Sequence, residues 1–336
     1  VQKVDLLIIG SGPAGLSTAL HLLQHDPGWG RRLILIEKAA HPRPKLCAGG
    51  VTGIGLEALR DLDFQLPLPI PAVEITNARL HYKKRAIHVR GQPIFVIYNR
   101  IEFDAYLASQ AHQRGVVIQE GETVKRINID SGRVKIETSR DNYQAKVVVG
   151  ADGSKGITRR LAGKENSKGR VARVLEAVYP ARSTDDQFVE RSAMFDFTPV
   201  QQSLQGYYWD FPSLVRGKPR FNRGVYDARL SPGGEKAKLP TIFEAEVSKL
   251  GKKENNTEFQ GHPIHWFNPG NRFAVPGVIL VGDAAGVDPL FGEGIGPSLA
   301  YGKVASETII AAFREEDFSF KDYRFRLFRS AVGRYL

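Results

Sequence analysis

The chain of 336 residues is 42% hydrophobic and 25% charged, carries a formal net charge of +11, and holds a single cysteine, Cys47. A chain of this size buries the core of one large domain or two intertwined ones, and its composition excludes low-complexity tracts, a disulfide framework and a cysteine-built zinc or iron–sulfur site. No apolar stretch is long enough to span a bilayer and the start does not read as a secretory signal, so a cytoplasmic location is expected, with or without peripheral attachment to a membrane.

The first element is a short apolar run, residues 6–9, which reads as a buried parallel strand. It breaks into Gly10-x-Gly12-x-x-Gly15, and residues 16–23 read as a helix. In a dinucleotide-binding turn the first glycine permits the bend, the second admits a pyrophosphate against the backbone, and the third lets helix and strand pack closely. Ala14 lies inside this turn. The phosphates then face the free N–H groups at the helix start. A lone glycine pattern is weak, but here a second apolar strand, residues 33–36, ends in Glu37, about twenty residues beyond Gly15, where a ribose-binding acid is expected. Lys38 follows it.

Two prolines discourage helix in Pro42-Arg43-Pro44-Lys45-Leu46-Cys47-Ala48-Gly49-Gly50, and its last two glycines admit a flat ligand close to the backbone. Residues 54–62 have helical spacing, and residues 72–89 alternate like a strand pair around the basic turn Lys83-Lys84-Arg85. Asn99 caps a helix that carries Phe103, Tyr106 and Leu107 on its apolar face. Arg100 sits at the mouth of that helix, where the dipole disfavours a cation, so a nearby anion is expected. Residues 116–124 read as strand, turn and strand, ending at Val124. Residues 146–149 form another apolar strand, which runs into Gly150-Ala151-Asp152-Gly153-Ser154.

From residue 170 to about 263 the pattern alternates, predicting a mainly antiparallel sheet, with a helix over 241–250 and a polar loop over 252–260. A third strand–glycine unit, Val278-Ile279-Leu280-Val281-Gly282-Asp283, leads into Asp288-Pro289-Leu290-Phe291-Gly292-Glu293-Gly294-Ile295-Gly296 and a helix over 298–313. The tail, 316–336, is basic and aromatic. The field of the whole chain suits anionic headgroups, a diphosphate, an acidic protein partner or plain solubility. Basic residues are dispersed and no nucleic-acid-binding motif appears, so no nucleic-acid partner is expected.

The three strand–glycine units, in this order, resemble flavoproteins of the para-hydroxybenzoate hydroxylase fold group. Pro42-x-x-Lys45-x-Cys47-x-Gly49-Gly50 resembles the PxxKxCxGG signature of the geranylgeranyl reductase family, and Tyr207-Tyr208-Trp209-Asp210-Phe211-Pro212 resembles its YxWxFP box. The resemblance implies an α/β fold: an FAD-binding Rossmann-like domain of glutathione reductase type (residues 1–70, 96–165 and 264–315) with an inserted, mainly antiparallel substrate sheet (71–95 and 166–263) and a C-terminal helical segment (316–336). FAD would meet Gly10, Gly12, Ala14 and Gly15 with its diphosphate, Glu37 and Lys38 with its adenosine, Asp152 and Gly153 beside the diphosphate, and Asp283 on the ribityl chain. Arg100 and Val124 join this set. Cys47, Ala48, Gly49, Gly294, Ile295 and Gly296 would surround the flavin ring. Tyr208, Trp209, Gly49 and Pro289 would hold an isoprenoid substrate, and Cys47 would give or relay a proton. The electron donor implied is NADPH or ferredoxin, and the basic surface suits an acidic donor protein or a membrane. The excess of Lys and Arg and the aromatic tail leave two expectations open: attachment to anionic lipid, with Tyr323, Phe325, Phe328 and Tyr335 inserted and Arg324, Arg326 and Arg329 on headgroups, or packing of the tail on its own domain or on a second subunit. A monooxygenase, a flavin halogenase and a non-enzymatic flavin-binding lipid carrier are the competing readings on the same scaffold.

Overall fold

Residues 6–9 are buried on both faces because the strand Gln2–Ile9 lies in the middle of a sheet. It pairs in parallel with Leu33–Glu37 on one side (Leu6 opposite Leu33) and with Asn142–Gly150 on the other (Leu6 opposite Val147). In the computed structural model, which describes residues 1–130, 132–162, 170–231, 233–250 and 259–336, this sheet has the path Ala274–Val275, Val278–Leu280, Asn142–Gly150, Gln2–Ile9, Leu33–Glu37, Val117–Glu120. A hairpin of Val124–Asp130 and Arg133–Thr138 continues from Asn142–Gly150. The core strands all end in the same direction, so their C-terminal loops gather along one edge, where ligands bind in open α/β sheets.

Helices cover this sheet. Pro13–His25 begins with proline at its first position, where the missing N–H costs nothing. Ile295–Glu315 packs along it, and the Ser17 hydroxyl donates to the carbonyl of Leu299 at 2.7 Å. Arg100–Gln113 is capped as expected: the Asn99 side chain accepts from the Ile101 N–H at 2.9 Å.

The second sheet runs Gln260–His265, Val171–Pro180, Lys218–Asp227, Gly206–Val215, Ser192–Asp196, Ala72–Tyr82, Arg85–Tyr98, Gly50–Thr52. Only the pairing of Ser192–Asp196 with Ala72–Tyr82 is parallel among its described pairs. Its two faces bury different residues, as period-two alternation requires. Tyr207, Trp209, Phe211 and Tyr226 share one face with Phe95 and Ile97. Tyr208, Leu175, Tyr179 and Phe221 share the other, covered by the helix Leu239–Ser248. The expected unit boundary at 165 and most of the expected polar loop at 252–260 lie outside the described residues.

The tail forms two short helices, Tyr323–Arg329 and Ala331–Tyr335. Of the side chains expected for lipid insertion, Phe325 and Tyr335 are exposed, whereas Tyr323 and Phe328 are packed on the chain's own core. Tyr323 is fully buried and its hydroxyl donates to the carbonyl of Leu280 at 3.0 Å. Phe328 packs on Phe267 and Phe273, and Arg326 pairs with Asp322. Burial on the chain's own core satisfied these two residues, which a membrane would have taken. Among the described residues no helix is long and apolar enough to cross a membrane.

Candidate active site

A cavity of about 750 Å³ runs from the glycine turn to the inner face of the second sheet. At one end lie Gly10, Gly12 and Ala14. Gly10 has φ +105°, and a Cβ there would run into the carbonyl of Ala151. Gly15 is set back from the cavity, with the Gly10 carbonyl packed against it, so its part is the close approach of helix to strand. The start of Pro13–His25 has no acidic residue in its first turn to compete for the free N–H groups.

Glu37 lines the same end. Its carboxylate accepts from the Ser11 N–H at 3.0 Å, the Ser11 hydroxyl at 2.9 Å and the Ala39 N–H at 3.2 Å. Burial works against its charge, but Arg43 and these hydrogen bonds hold the carboxyl below its usual range. Lys38 and Val124 also line this end.

Two guanidinium groups stand over Gly12, those of Arg43 and Arg100, each 3.9 Å from where a Cβ would be. Arg100 is buried, and the anion that offsets its place at the helix start is in its own chain: Asp104, one turn on, accepts two hydrogen bonds at 2.7 Å. Arg43 bridges Glu37 at 3.4 Å and Asp104 at 3.3 Å, and its Nε is buried without a protein partner. Lys45, also lining the cavity, has its pKa lowered by burial, and its Nζ lies 3.4 Å from His262 Nε2. Sequence reasoning passed over Arg43 as a site residue; its signal was a cation fixed between two prolines.

Asp152 and Gly153 line the cavity opposite. The Asp152 carboxylate is occupied by the N–H of Thr158, at 3.0 Å, and by its hydroxyl, and burial raises its pKa. Asp283 lines the middle of the cavity and accepts from the Ser154 hydroxyl at 2.9 Å. Gly294 and Ile295 line it at the start of Ile295–Glu315; Gly296 faces Gly55 of the helix Gly53–Asp61 instead. Glu293 is held by the Thr52 hydroxyl at 2.6 Å and by the Tyr335 hydroxyl, and burial raises its pKa.

Toward the second sheet the lining becomes apolar. Cys47, Ala48 and Gly49 border it, facing Tyr207, Trp209, Phe211, Phe195, Ile94 and Leu80. Gly49 (φ +84°) has the Tyr98 carbonyl against it, so the glycine serves the strand Arg85–Tyr98 at least as directly as any ligand. The Trp209 indole N–H donates to Asn222 at 2.7 Å, and the Asn222 amide reaches the Cys47 carbonyl at 3.4 Å. The Cys47 N–H donates to the Glu176 carboxyl at 2.9 Å. Burial lifts the Cys47 thiol pKa, with Arg100 pulling it down and Glu176 adding to the rise. Tyr207 donates to the Phe291 carbonyl at 2.5 Å and Tyr226 to that of Pro289 at 2.7 Å, tying the sheet to the loop after Asp283.

Two expected substrate residues are placed differently. Tyr208 does not reach the cavity: between Tyr207 and Trp209 on one strand, it points to the opposite face. Tyr207 takes the position beside Trp209. Pro289 offers its carbonyl to Tyr226 and is not part of the lining.

The residues present fit FAD. A glycine cradle, a helix start, an acid at the end of the second strand and two arginines with a spare buried donor suit an adenosine diphosphate, and the far end is wide and apolar enough for a ring system. The chain belongs to the FAD binding domain family, which matches residues 3–296, and it is an FAD-dependent oxidoreductase. Digeranylgeranylglycerophospholipid reductase 2 of Methanopyrus kandleri is 28% identical over 329 residues, covering 95% of this chain and 80% of the relative. A geranylgeranyl bacteriochlorophyll reductase-like protein of Thermoplasma acidophilum has the same fold, with a TM-score of 0.78 at 22% identity over 97% of this chain and 82% of that one. The flavin-dependent halogenase CmlS also shares it, with a TM-score of 0.73 at 20% identity over 100% of this chain and 63% of its own. The resemblance to geranylgeranyl reductases is borne out by these relatives.

Proposed function

We propose that the protein hydrogenates carbon–carbon double bonds of a geranylgeranyl or other polyprenyl chain carried on a phospholipid, a diphosphate or a chlorophyll precursor. The observation that carries this reading is the apolar, aromatic stretch of the cavity, which continues from the polar cofactor end past Cys47 to Trp209 and Phe211. A flexible hydrocarbon fits such a wall, whereas a polar aromatic substrate would leave it poorly used. The relative from Methanopyrus, named a reductase of a digeranylgeranyl lipid, supports the same class.

FAD bound here and reduced, by NADPH, ferredoxin or another acidic donor protein, supplies hydride to one alkene carbon. Gly10, Gly12, Ala14, Glu37, Lys38, Arg43, Arg100, Val124, Asp152, Gly153 and Asp283 hold the cofactor. Ala48, Gly49, Gly294 and Ile295 border its ring, and the N–H groups at the start of Ile295–Glu315 favour negative charge there. Tyr207 and Trp209 position the chain and exclude water. Cys47 gives the second alkene carbon its proton from a thiol that burial keeps protonated. The substrate is reached by peripheral contact with anionic lipid.

Anaerobic incubation of dithionite-reduced protein with a digeranylgeranyl phospholipid tests the reading: products gain two hydrogens for each bond reduced. Unchanged lipid, with substrate-dependent oxygen uptake or halide incorporation under air, points instead to a monooxygenase or a halogenase.

A further inference from the structure

Glu176 lies in the middle of Val171–Pro180, flanked by Leu175 and Ala177, yet its side chain lines the cavity and is only 7% exposed. Among the described residues no ion pair reaches it. One carboxyl oxygen instead accepts the Cys47 N–H at 2.9 Å, and Asn222, which also reaches the Cys47 carbonyl, hydrogen-bonds the carboxyl too. The thiol-bearing residue is therefore gripped from both of its peptide groups by one acid and the amide beside it.

We infer that Glu176 is a positioning acid for Cys47: its carboxyl holds the Cys47 main chain, and as a carboxylate its charge opposes thiolate formation. The proposal rests on Cys47 as the proton source. The proton balance is closed within the chain and solvent. As the Cys47 S–H bond breaks, a C–H bond forms on the alkene carbon next to the one that takes hydride from reduced flavin. The S–H bond re-forms with a proton taken up from bulk solvent.

The surroundings suit such a group. Burial pushes the Glu176 carboxyl up to about 7, against the Cys47 N–H, Asn222 and the positive charges of Arg100 and Lys45. The charged and titratable groups facing it are thus Cys47 and Lys45 from the segment after Glu37 and Arg100 from the helix Arg100–Gln113. The adjacent strand Lys218–Asp227 contributes the neutral Asn222. On the other flanking strand His262 sits behind Lys45, its own pKa brought down to about 4 by burial and by that lysine. An acid that titrates near neutrality beside a thiol held above its usual value leaves the thiol protonated at working pH while its own charge comes and goes.

Cys47 is the only cysteine in the chain, so its reactivity is read directly. The experiment is alkylation of the FAD-bound protein by iodoacetamide from about pH 6 to pH 9. In wild type the logarithm of the rate rises with pH at a slope below one around neutrality, as the new carboxylate raises the thiol pKa. Glu176→Gln keeps an acceptor for the Cys47 N–H but cannot ionise. It should alkylate at the wild-type rate near pH 6 and on the order of threefold faster or more near pH 8.5, the effect of half a pKa unit on the thiolate fraction. Glu176→Asp should keep the wild-type profile. A slope of one throughout in wild type, superimposable wild-type and Glu176→Gln curves, or a Glu176→Asp curve like that of Glu176→Gln overturns the proposal. No polyprenyl substrate enters this measurement, so failure of the reductase reading is seen separately.

Discussion

The carboxylate of Glu37 accepts both the main-chain N–H and the hydroxyl of Ser11, at 3.0 and 2.9 Å. Ser11 sits inside the glycine turn, so the acid at the end of the second strand and the turn at the end of the first are locked to one another. A ribose bound against Glu37, as proposed, would meet a carboxylate whose orientation is already fixed, which lowers the ordering cost of binding.

Replacement of that carboxylate should therefore weaken FAD binding without unfolding the sheet. Glu37→Gln keeps an acceptor for Ser11 but loses the charge that Arg43 shares. A hydrogen bond to a charged group is worth about 1.5–3 kcal/mol, or roughly 10- to 150-fold in affinity. Fluorescence titration of stripped protein with FAD measures it. An unchanged dissociation constant removes Glu37 from the ribose site.

The two faces of Gly206–Val215 separate stability from chemistry. The Tyr208 hydroxyl is buried without a hydrogen-bond partner on the face away from the cavity. Tyr208→Phe removes an unsatisfied polar atom at nearly constant shape. It should raise unfolding free energy by about 1 kcal/mol while leaving turnover and product pattern unchanged. Trp209→Phe acts in the opposite sense: it strands Asn222 and opens space in the cavity wall, costing about 2 kcal/mol and changing the product distribution. Denaturant titration and product mass spectra of the two variants check both halves. Equal effects of the two on products would mean that the wall is not the substrate surface.

That contrast also marks where sequence reading stops. The glycine turn, Glu37 and the three strand ends were legible because their spacing is local and each strand is buried on both faces, so no choice of side arises. The aromatic box is different. Its residues alternate sides, and which parity faces the cavity is set by the distant pairing of Tyr207 with Tyr226 and of Tyr208 with Val225. Arg43 and Glu176 needed contacts between segments far apart in the chain, Glu37 and Asp104 for the one and Cys47 for the other. The signal for Glu176 was present all the same: an acid inside the run Val174-Leu175-Glu176-Ala177-Val178 is either exposed on one face or buried for a purpose.

If the proposed membrane contact is made, the exposed hairpin of the second sheet is a better place for it than the tail. The hairpin of Ala72–Tyr82 and Arg85–Tyr98 exposes Ile87 (67%), Val89 and Tyr82 around the basic turn Lys83-Lys84-Arg85, while Leu80 and Val89 also line the cavity. Each basic residue near an anionic surface contributes about 1 kcal/mol. Reversing all three (Lys83→Glu, Lys84→Glu, Arg85→Glu) should abolish sedimentation with phosphatidylserine vesicles at low salt, and Phe325→Asp in the tail should leave it intact. Binding lost with the tail variant and kept with the hairpin variant would return the contact to the tail.

Glu176 carries a stability consequence of its own. Burial raises its folded-state pKa to about 7 from an ordinary value of 4.5, so between these values the folded chain holds a proton that the unfolded chain has released. Its favourable contribution is complete below about pH 4.5, falls as pH rises toward 7, and is gone above that. The loss across the window is on the order of 3 kcal/mol, from a shift of roughly two units. Other buried carboxyls, Asp152 and Glu293 among them, have raised pKa values as well and bend the absolute curve, so the quantity to follow is the difference between wild type and Glu176→Gln. Glutamine keeps the hydrogen bond from Cys47 and has nothing to ionise. The variant should be no more stable than wild type near pH 5 and more stable near pH 8, the two urea midpoints crossing or converging between. A difference that stays constant across this range would mean that Glu176 does not titrate in the folded protein. The carboxyl would then be a fixed clamp on the Cys47 backbone, and its charge would have no part in the thiol's chemistry.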